Sequence, residues 1–271
     1  MPRITQLRRM ALCFLIAVLA ACAGDDDQPL PDKPVEELYN SAIDLLKKKE
    51  YGKAAKEFEE VERQHPYSQW AARAQLMAAY ARYEAMDYDD AIATLDQFIQ
   101  THPGNANIAY AYYLRALCYY ERIADVRRDQ SSAVAALKGL QDVASRFPDT
   151  TYARDAQLKI ALVNDHLAGA EMEVGRNYLK QKLYTAAVGR FRTVVEKYQT
   201  TSHVPEALHR LVECYLALGI VNEARATAAV LGHNFPGSKW YEDSYNLLAG
   251  KNLAPGEQQG SWISRIWNRV F

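Results

Sequence analysis

The sequence has few of the residues that build metal centres, disulfide frameworks or catalytic sites. Its 271 residues include only four cysteines, and none of them forms a C-x-x-C pair. None of the six histidines belongs to an H-E-x-x-H motif, which would place two imidazoles on one zinc ion. There is also no G-x-S-x-G motif and no glycine-rich phosphate loop. We therefore expect no metal, no cofactor and no enzymatic activity, and an enzyme with an unrecognised site is the most distant alternative.

Long apolar runs are also scarce. The main one covers residues 10–21 and follows three arginines, Arg3, Arg8 and Arg9. A helix rises about 1.5 Å per residue, so this run spans little more than half of a hydrocarbon core that is about 30 Å thick. A charged segment followed by a short apolar run is typical of a signal peptide, which we assign to residues 1–21.

The cysteine that follows this run stands in the sequence Leu-Ala-Ala-Cys at residues 19–22, which resembles a bacterial lipobox. In lipoproteins of this kind, the cysteine receives a diacylglyceryl group on its sulfur, becomes the first residue after cleavage, and is then N-acylated. We expect Cys22 to carry this covalent lipid; an ordinary secretory cleavage site is the alternative. An alanine and a glycine follow Cys22, where an aspartate would be typical of retention in the inner membrane, so the resemblance favours the outer membrane.

The net charge gives no support to nucleic-acid binding. The formal charge is −1, and removal of residues 1–21 takes away three arginines and no acid, which leaves −4. Domains that bind nucleic acids are generally basic instead. Residues 22–34 are rich in aspartate and proline and nearly free of apolar side chains, so they predict a flexible tether between the lipid and a folded domain.

Two cysteines, Cys118 and Cys214, remain in the rest of the chain. They are far apart in sequence and have no neighbouring cysteine, so they do not indicate a disulfide framework. The periplasm is oxidising, and a single bridge between these two residues therefore stays open at this point.

A repeat with helical spacing runs through residues 35–250. It consists of an alanine, an apolar residue four positions later, a second apolar residue three positions further on, and a proline five positions beyond that. Offsets of four and three place these residues on one face of a helix, and proline ends the helix because it has no amide hydrogen to donate. The copies are Ala54/Phe58/Val61/Pro66, Ala91/Leu95/Phe98/Pro103, Ala136/Leu140/Val143/Pro148, Ala187/Phe191/Val194/Gln199 and Ala224/Ala228/Leu231/Pro236, with the proline lost in the fourth.

This spacing resembles the tetratricopeptide repeat, whose unit of about 34 residues is a pair of helices. The resemblance implies an all-α solenoid of about five helix pairs over residues 35–250. Successive stop positions lie 37, 45, 51 and 37 residues apart, so two insertions are expected. We predict that residues 121–133 form a loop, and that residues 152–183 form one long helix or two helices joined near Gly169.

Tyrosines cluster where such a solenoid would have its inner groove. The chain has 18 tyrosines, and several of them fall on predicted first helices, which line that groove. Tyrosine rings in the groove would grip an extended peptide. The alternative is that most of them pack between helices with their hydroxyl groups in water. The tyrosines concerned are Tyr80, Tyr83, Tyr110, Tyr112, Tyr113, Tyr119 and Tyr120.

Residues 251–271 form a separate C-terminal tail that ends in a predicted amphipathic helix. Trp262, Ile263, Ile266, Trp267 and Val270 fall on one face of that helix, and polar residues occupy the rest. Such a helix would lie on a membrane, dock in the groove of a partner, or fold back over the last repeat.

The lipobox-like cysteine, the polar linker and the repeats with HPYSQWAARAQLMAAYARY and HPGNANIAYAYYLRAL together resemble the BamD family of outer-membrane assembly lipoproteins. The resemblance covers residues 22–248. It implies a protein on the periplasmic face of the outer membrane, whose C-terminal half contacts the periplasmic domains of a BamA-type barrel protein and which engages unfolded outer-membrane proteins. Some members also bind an accessory lipoprotein, but the loop near Arg127 and Arg128 is short here.

The same resemblance assigns roles to individual residues. The Pro-Tyr turn of the family is matched at residues 66–67, its tyrosine-rich first helices by three tyrosines, and its arginine after the fourth-repeat alanine by Arg190. We therefore predict that Arg190 contacts the BamA-type partner. The predicted peptide-binding residues are Tyr67, Tyr80, Tyr110, Tyr113 and Arg115.

Two alternatives remain open from the sequence. Arg190 would instead form a solvent-exposed ion pair with Glu196 or with another local acid, which is worth only about 0–1 kcal/mol. The whole protein would instead be another periplasmic repeat lipoprotein, such as an activator of a cell-wall synthase, because a tether and helical repeats alone look the same in both.

Overall fold

The computed structural model describes residues 33–256 and 261–267. These residues form twelve α-helices and no β-strand, which confirms the all-α class predicted from the repeat. The helices are α1 (Val35–Lys47), α2 (Tyr51–Gln64), α3 (Ala71–Glu84), α4 (Tyr88–Thr101), α5 (Ile108–Glu121), α6 (Ser131–Arg146), α7 (Thr151–Lys180), α8 (Tyr184–Lys197), α9 (Val204–Ala217), α10 (Val221–Asn234), α11 (Lys239–Ala249) and α12 (Trp262–Trp267).

Consecutive helices pack as five pairs, α1 with α2 through α9 with α10, and each pair packs against the next one along the chain. This arrangement is the tetratricopeptide-type solenoid that the repeat predicts. The odd-numbered helices from α1 to α9 are the first helices of their pairs, and the even-numbered helices from α2 to α10 are the second helices. Contacts are local in sequence, so each pair buries its apolar face mainly against its neighbours.

The repeat motif forms the buried face of every second helix. In α2, Ala54, Phe58 and Val61 have no solvent-exposed surface. The equivalent residues in α4, α6, α8 and α10 are at most 1% exposed. The alanine lets a neighbouring helix approach closely, and the two larger residues fill the space between pairs. This burial explains why the spacing is kept in all five copies.

The second helices end alike even where the proline is missing. α8 ends at Lys197, and the following Tyr198 has φ −125° and ψ 43°, close to the φ −130° and ψ 55° of His65 after α2. In both turns the amide three residues further on donates to the carbonyl of that capping residue. After α8, the hydroxyl of Thr201 donates to the Tyr198 carbonyl as well. Gln199 is tolerated because these hydrogen bonds hold the turn without proline.

Both predicted insertions are present. α5 ends at Glu121 and α6 begins at Ser131, with irregular structure between them. The second insertion is absorbed by α7, which is one helix of 30 residues and not two joined near Gly169. Gly169 is buried inside α7, where a Cβ atom would lie 3.2 Å from Nε2 of His203. Gly169 therefore allows α7 and the start of α9 to approach closely. It does not interrupt the helix.

The described part of the C-terminal tail folds back over the last repeat. α12 packs against α10, and Ile263 is fully buried while Trp267 is 5% exposed. The indole of Trp262 donates to the hydroxyl of Tyr215 at 3.0 Å, and the guanidinium carbon of Arg192 lies 4.1 Å from the Trp262 ring centroid. This is the third of the arrangements that an amphipathic tail allows, and it covers apolar surface at the end of the solenoid.

Cys118 and Cys214 are both buried and both have free thiols. Cys118 belongs to the core between α3, α4 and α5, whereas Cys214 belongs to the core formed by α7 and the helices after it. Burial raises the pKa of each thiol to about 12, so neither is a reactive thiolate at neutral pH. The two cysteines therefore act as small apolar core residues.

Candidate functional site

Three first helices carry tyrosines that meet on one side of the solenoid. We call these five side chains, two from α3, two from α5 and one from α7, the tyrosine surface: Tyr80, Tyr83, Tyr110, Tyr113 and Tyr152. The ring centroid of Tyr152 lies 5.5 Å from that of Tyr110 and 5.2 Å from that of Tyr113. Tyr80 and Tyr83 are near enough to Tyr110 to interact with it electrostatically. The structure thus places three of the predicted peptide-binding tyrosines on one continuous surface.

All five rings of the tyrosine surface are half-buried. Tyr80, Tyr83 and Tyr110 pack against the core between α3, α4 and α5, whereas Tyr113 and Tyr152 pack against the core between α5, α6 and α7. Each ring therefore supports helix packing and also presents part of its face to water. Partly exposed aromatic rings offer large contact areas to the apolar side chains of another polypeptide.

Hydrogen bonds connect the tyrosine surface to acidic side chains. Tyr83 donates to Glu121 at 3.4 Å, and Tyr113 donates to Asp155 at 2.5 Å. Burial raises the pKa of both tyrosines, so their hydroxyl groups stay protonated at neutral pH. The hydrogen bond from Tyr113 lowers the pKa of Asp155, which is therefore ionised. The tyrosine surface combines aromatic faces with carboxylates that accept hydrogen bonds from its hydroxyl groups.

Apolar side chains extend the tyrosine surface along α7. The ammonium group of Lys159 lies 3.3 Å from Asp155 and 5.3 Å from the ring centroid of Tyr120. Tyr120 and Leu162 line a cavity of 330 Å³ beside it. Leu158 and Leu162 are 69% and 59% exposed. Large apolar side chains that remain exposed next to aromatic rings are typical of sites that bind another polypeptide.

The other two residues predicted to bind peptide lie apart from the tyrosine surface. Arg115 points towards α4, where a guanidinium nitrogen lies 2.5 Å from a carboxylate oxygen of Asp96. Its guanidinium carbon also lies 5.1 Å from the ring centroid of Tyr112. Helical spacing puts Arg115 on the side of α5 opposite to Tyr113. Tyr67 lies in the turn between α2 and α3 and is fully exposed.

Arg190 projects from α8 towards α7. One guanidinium nitrogen lies 3.1 Å from a carboxylate oxygen of Glu171, and the Arg190 side chain is 45% exposed. The hydrogen bond to Glu171 raises the pKa of Arg190 further, so its charge is permanent. Glu196, the local acid considered from the sequence, pairs with Arg192 at 2.8 Å instead. The exposed part of the Arg190 guanidinium is thus available to a carboxylate from another molecule.

Comparisons with known proteins place this solenoid in a family. The family model YfiO, described as outer membrane lipoprotein, matches residues 31–231. The outer membrane protein assembly factor BamD of Caulobacter vibrioides is 50% identical over 249 residues, which are 91% of this chain and 82% of that protein. The chain belongs to the BamD family. BamD of Rickettsia prowazekii is 48% identical over 88% of this chain and 95% of its own length.

BamD-family similarity extends over both surfaces described above. The matched residues 31–231 include the tyrosine surface and Arg190, and they end within α10. Among solved structures, the TPR domain of P58(IPK) aligns with 79% of this chain and 55% of its own, at 14% identity and a TM-score of 0.42. Both BamD relatives named above are described as outer membrane protein assembly factors.

Several predictions concern residues that the structure does not describe. Cys22, the rest of residues 1–32 and residues 268–271 lie outside the described ranges. Within the described ranges, no helix is both long enough and apolar enough to cross a membrane. The same ranges contain no group of three or more His, Cys, Asp or Glu side chains that could hold a metal ion.

Sequence reasoning missed three residues of these surfaces: Tyr152, Asp155 and Glu171. All three lie on α7, which the sequence pattern left as one helix or two. The first two are three residues apart and so share a face of the helix. Residues 152–183 precede the fourth copy of the motif, so they occupy the position of a first helix. That position was the signal that could have grouped Tyr152 with the other first-helix tyrosines. No sequence signal identified Glu171 as the partner of Arg190, because that contact joins two different helices.

Proposed function

We propose that this BamD-family protein is a lipid-anchored scaffold of the outer-membrane protein assembly complex. In this role it binds a BamA-type barrel protein through that protein's periplasmic domains, and it binds unfolded β-barrel clients. The proposal is supported by family membership and by two chemically different exposed surfaces that share no residue, the tyrosine surface on α3, α5 and α7 and Arg190 on α8. It includes no catalytic step, no metal and no nucleic acid.

The anchor in this proposal is the covalent lipid on Cys22. Stable attachment to a bilayer takes more than one acyl chain, because each buried CH₂ group contributes about 0.8 kcal/mol. A diacylglyceryl group together with an N-acyl chain meets that requirement. The protein would then lie on the periplasmic face of the outer membrane, with residues 23–34 as the tether. Mass spectrometry of the wild-type protein tests the anchor, and an unmodified Cys22 after signal cleavage would refute it.

The tyrosine surface is the proposed site for unfolded clients. An extended segment of an outer-membrane strand alternates apolar and polar side chains, so its apolar side chains would stack on the five rings while its other face stays in water. The carboxylates of Glu121 and Asp155, the second of which also contacts Lys159, would favour segments that also carry a basic or hydrogen-bond-donating group. No residue of the tyrosine surface belongs to the Arg190 ion pair, so client and barrel subunit would occupy different places.

Crosslinking to an unfolded β-barrel protein tests this site. Replacement of Tyr80 and Tyr113 by alanine should weaken the crosslink, because two stacking surfaces are removed. The matched control replaces Tyr112 and Tyr119, which are also half-buried on α5 but lie outside the tyrosine surface. Far-UV circular dichroism should be the same for both variants. Equal crosslinking by both variants, or loss of helicity in the first one alone, would show that these tyrosines serve packing only.

A further inference from the structure

A second groove opens between α7, α9 and α11, in the C-terminal half of the solenoid. Its volume is 420 Å³, within the range of about 300–1,000 Å³ that is usual for ligand sites. Leu179, Tyr184, Leu216 and Leu247 form its apolar floor. These four side chains are half-buried and pack with their inner sides against the largest core cluster of the described chain. Their outer sides remain uncovered.

Three lysines stand around this apolar floor: Lys180, Lys182 and Lys251. All three are exposed, and none of them forms an ion pair with a carboxylate among the described residues. By contrast, the nearby Arg176 and Arg210 both form ion pairs with glutamates. We call the cavity and its three lysines the lysine-rimmed groove. The positive charge of the three lysines is therefore not paired with a carboxylate of the described residues.

The acid in the lysine-rimmed groove does not cancel this charge. Glu213 lies 2.7 Å from Arg210 and 3.6 Å from His209. Burial alone would raise the pKa of Glu213, but the hydrogen bonds from His209 and Arg210 outweigh burial and lower it. Glu213 is therefore an ionised carboxylate whose charge is already compensated by Arg210. The three lysines keep a net positive rim.

The turns next to the lysine-rimmed groove add exposed apolar surface. Leu183 follows Lys182 and is 49% exposed, and Leu218 follows the lining residue Ala217 and is 40% exposed. Ile220, in the same turn as Leu218, is 43% exposed. Clustered exposed apolar side chains with a charged rim mark a site of interaction. The groove lies between helices, so a polypeptide segment can enter it, whereas a flat bilayer would meet only the turns.

We propose that the lysine-rimmed groove binds a short acidic segment of a partner polypeptide, with an apolar side chain on the floor and carboxylates on the lysines. Apolar contacts supply most of the binding free energy in such a mode, and the charges set the orientation and accelerate association. The lysine-rimmed groove shares no residue with the tyrosine surface or with the Arg190 ion pair. The inference therefore stands or falls independently of the proposed client and barrel-subunit contacts.

A defined probe tests this proposal on the full chain. The probe is a fluorescein-labelled amphipathic peptide of about twelve residues, with leucines on one face and glutamates beside them, and its binding is followed by fluorescence anisotropy. The triple variant Lys180→Glu, Lys182→Glu, Lys251→Glu should bind about tenfold or more weakly, which is about 1.4 kcal/mol. Leu218→Ser should also weaken binding without disturbing the core, because Leu218 is exposed.

The matched control carries Lys48→Glu, Lys49→Glu and Lys56→Glu, which make the same change in charge on exposed lysines of the first helix pair. This variant should bind the probe like the wild type, and a peptide with lysines in place of glutamates should not bind. The proposal is overturned if the two triple variants bind equally or if no saturable binding occurs. It is also overturned if the groove variant loses binding to vesicles of anionic phospholipid but keeps binding to the peptide.

Discussion

At the scale of single residues, the hydrogen bond from Tyr113 to Asp155 joins α5 to α7 at the centre of the tyrosine surface. This bond stabilises the ionised carboxylate and so lowers the pKa of Asp155 below its ordinary value of 3.8. A lowered pKa in the folded state means that the contribution to stability is present above the ordinary pKa and is lost as the pH falls through the folded-state pKa.

Tyr113→Phe should therefore raise the pKa of Asp155 and weaken the loss of stability on acidification below about pH 4. The measurement is a carboxyl-carbon NMR titration of Asp155, together with urea unfolding between about pH 2 and pH 6. Tyr119→Phe is the control, because it removes a hydroxyl from the same helix without touching Asp155. An unchanged Asp155 pKa in the Tyr113 variant would show that the hydrogen bond is absent in solution.

Replacement of Arg190 is expected to change the binding of the partner and not the stability of the fold. Its pair with Glu171 is partly exposed, and such pairs contribute about 0–1 kcal/mol to stability. Arg190→Glu should therefore change the thermal midpoint of the chain very little. If the BamA-type partner places a carboxylate on Arg190, the same change should cost about 2–5 kcal/mol of binding. Arg190→Lys should recover only part of that loss, because lysine cannot form two parallel hydrogen bonds.

Calorimetry against the membrane-proximal periplasmic domain of the partner measures this loss. Lys138→Glu makes an equal change of charge at an exposed position on α6 and serves as the control. Wild-type affinity in the Arg190→Glu variant would remove Arg190 from the interface and leave only its local pair with Glu171.

At the scale of elements, two glycines inside helices have opposite surroundings, one crowded and one open. A Cβ atom on Gly139 would lie 2.9 Å from the Cβ of Ala116 and 3.3 Å from its Cα, so α5 and α6 approach each other closely there. Gly189 lies on the exposed side of α8, with no other atom within 4 Å of such a Cβ. Close approach explains the first glycine, and nothing in the structure explains the second.

Gly139→Ala should destabilise the chain by about 1–3 kcal/mol, because overpacking forces α5 and α6 apart. Gly189→Ala should stabilise it by up to about 1 kcal/mol, because alanine favours the helix and meets no neighbour. Urea unfolding measures both changes. A stable Gly139→Ala variant would mean that α5 and α6 separate at little cost and that the pairs are loosely packed.

The C-terminal helix α12 is an element whose position the sequence left open. Its amphipathic face was visible, but the surface that receives it is built from three other helices and could not be read from the tail alone. Ile263→Ala should cost on the order of 2 kcal/mol, because Ile263 has no exposed surface. Arg265→Ala, at an exposed position of the same helix, should cost almost nothing. Hydrogen exchange of α12 measures the difference, and equal protection in both variants would contradict docking.

The helices themselves were largely predictable, because the alanine and apolar spacing of the motif marks the buried face of each second helix. The sequence did not show that α8 would end correctly without proline, since the bond from Thr201 that holds the turn becomes visible only in the folded chain. The separation of Arg115 from Tyr113 was predictable, because residues two positions apart lie on opposite sides of a helix. The pair of Arg190 with Glu171 depends on how α7 and α8 pack, which no local pattern reports.

At the scale of the whole molecule, the solenoid separates its candidate surfaces along the chain. The tyrosine surface lies on the second, third and fourth pairs, and Arg190 lies on the second helix of the fourth pair. The lysine-rimmed groove lies between the fourth pair, α9 and α11. Contacts in a solenoid are local and the two sites share no residue, so binding at one site should place little strain on the other. The proposed scaffold role requires the protein to hold two partners at the same time, and two separate surfaces would allow this.

Simultaneous binding is the central claim, and one titration tests it directly. An unfolded β-barrel client is titrated into the chain alone and into the chain saturated with the periplasmic domains of the BamA-type partner, with calorimetry as the readout. We expect the same client affinity within about a factor of two and a complex of all three components, because the two sites share no residue. Competition between client and partner, or absence of binding by either one, would contradict the account.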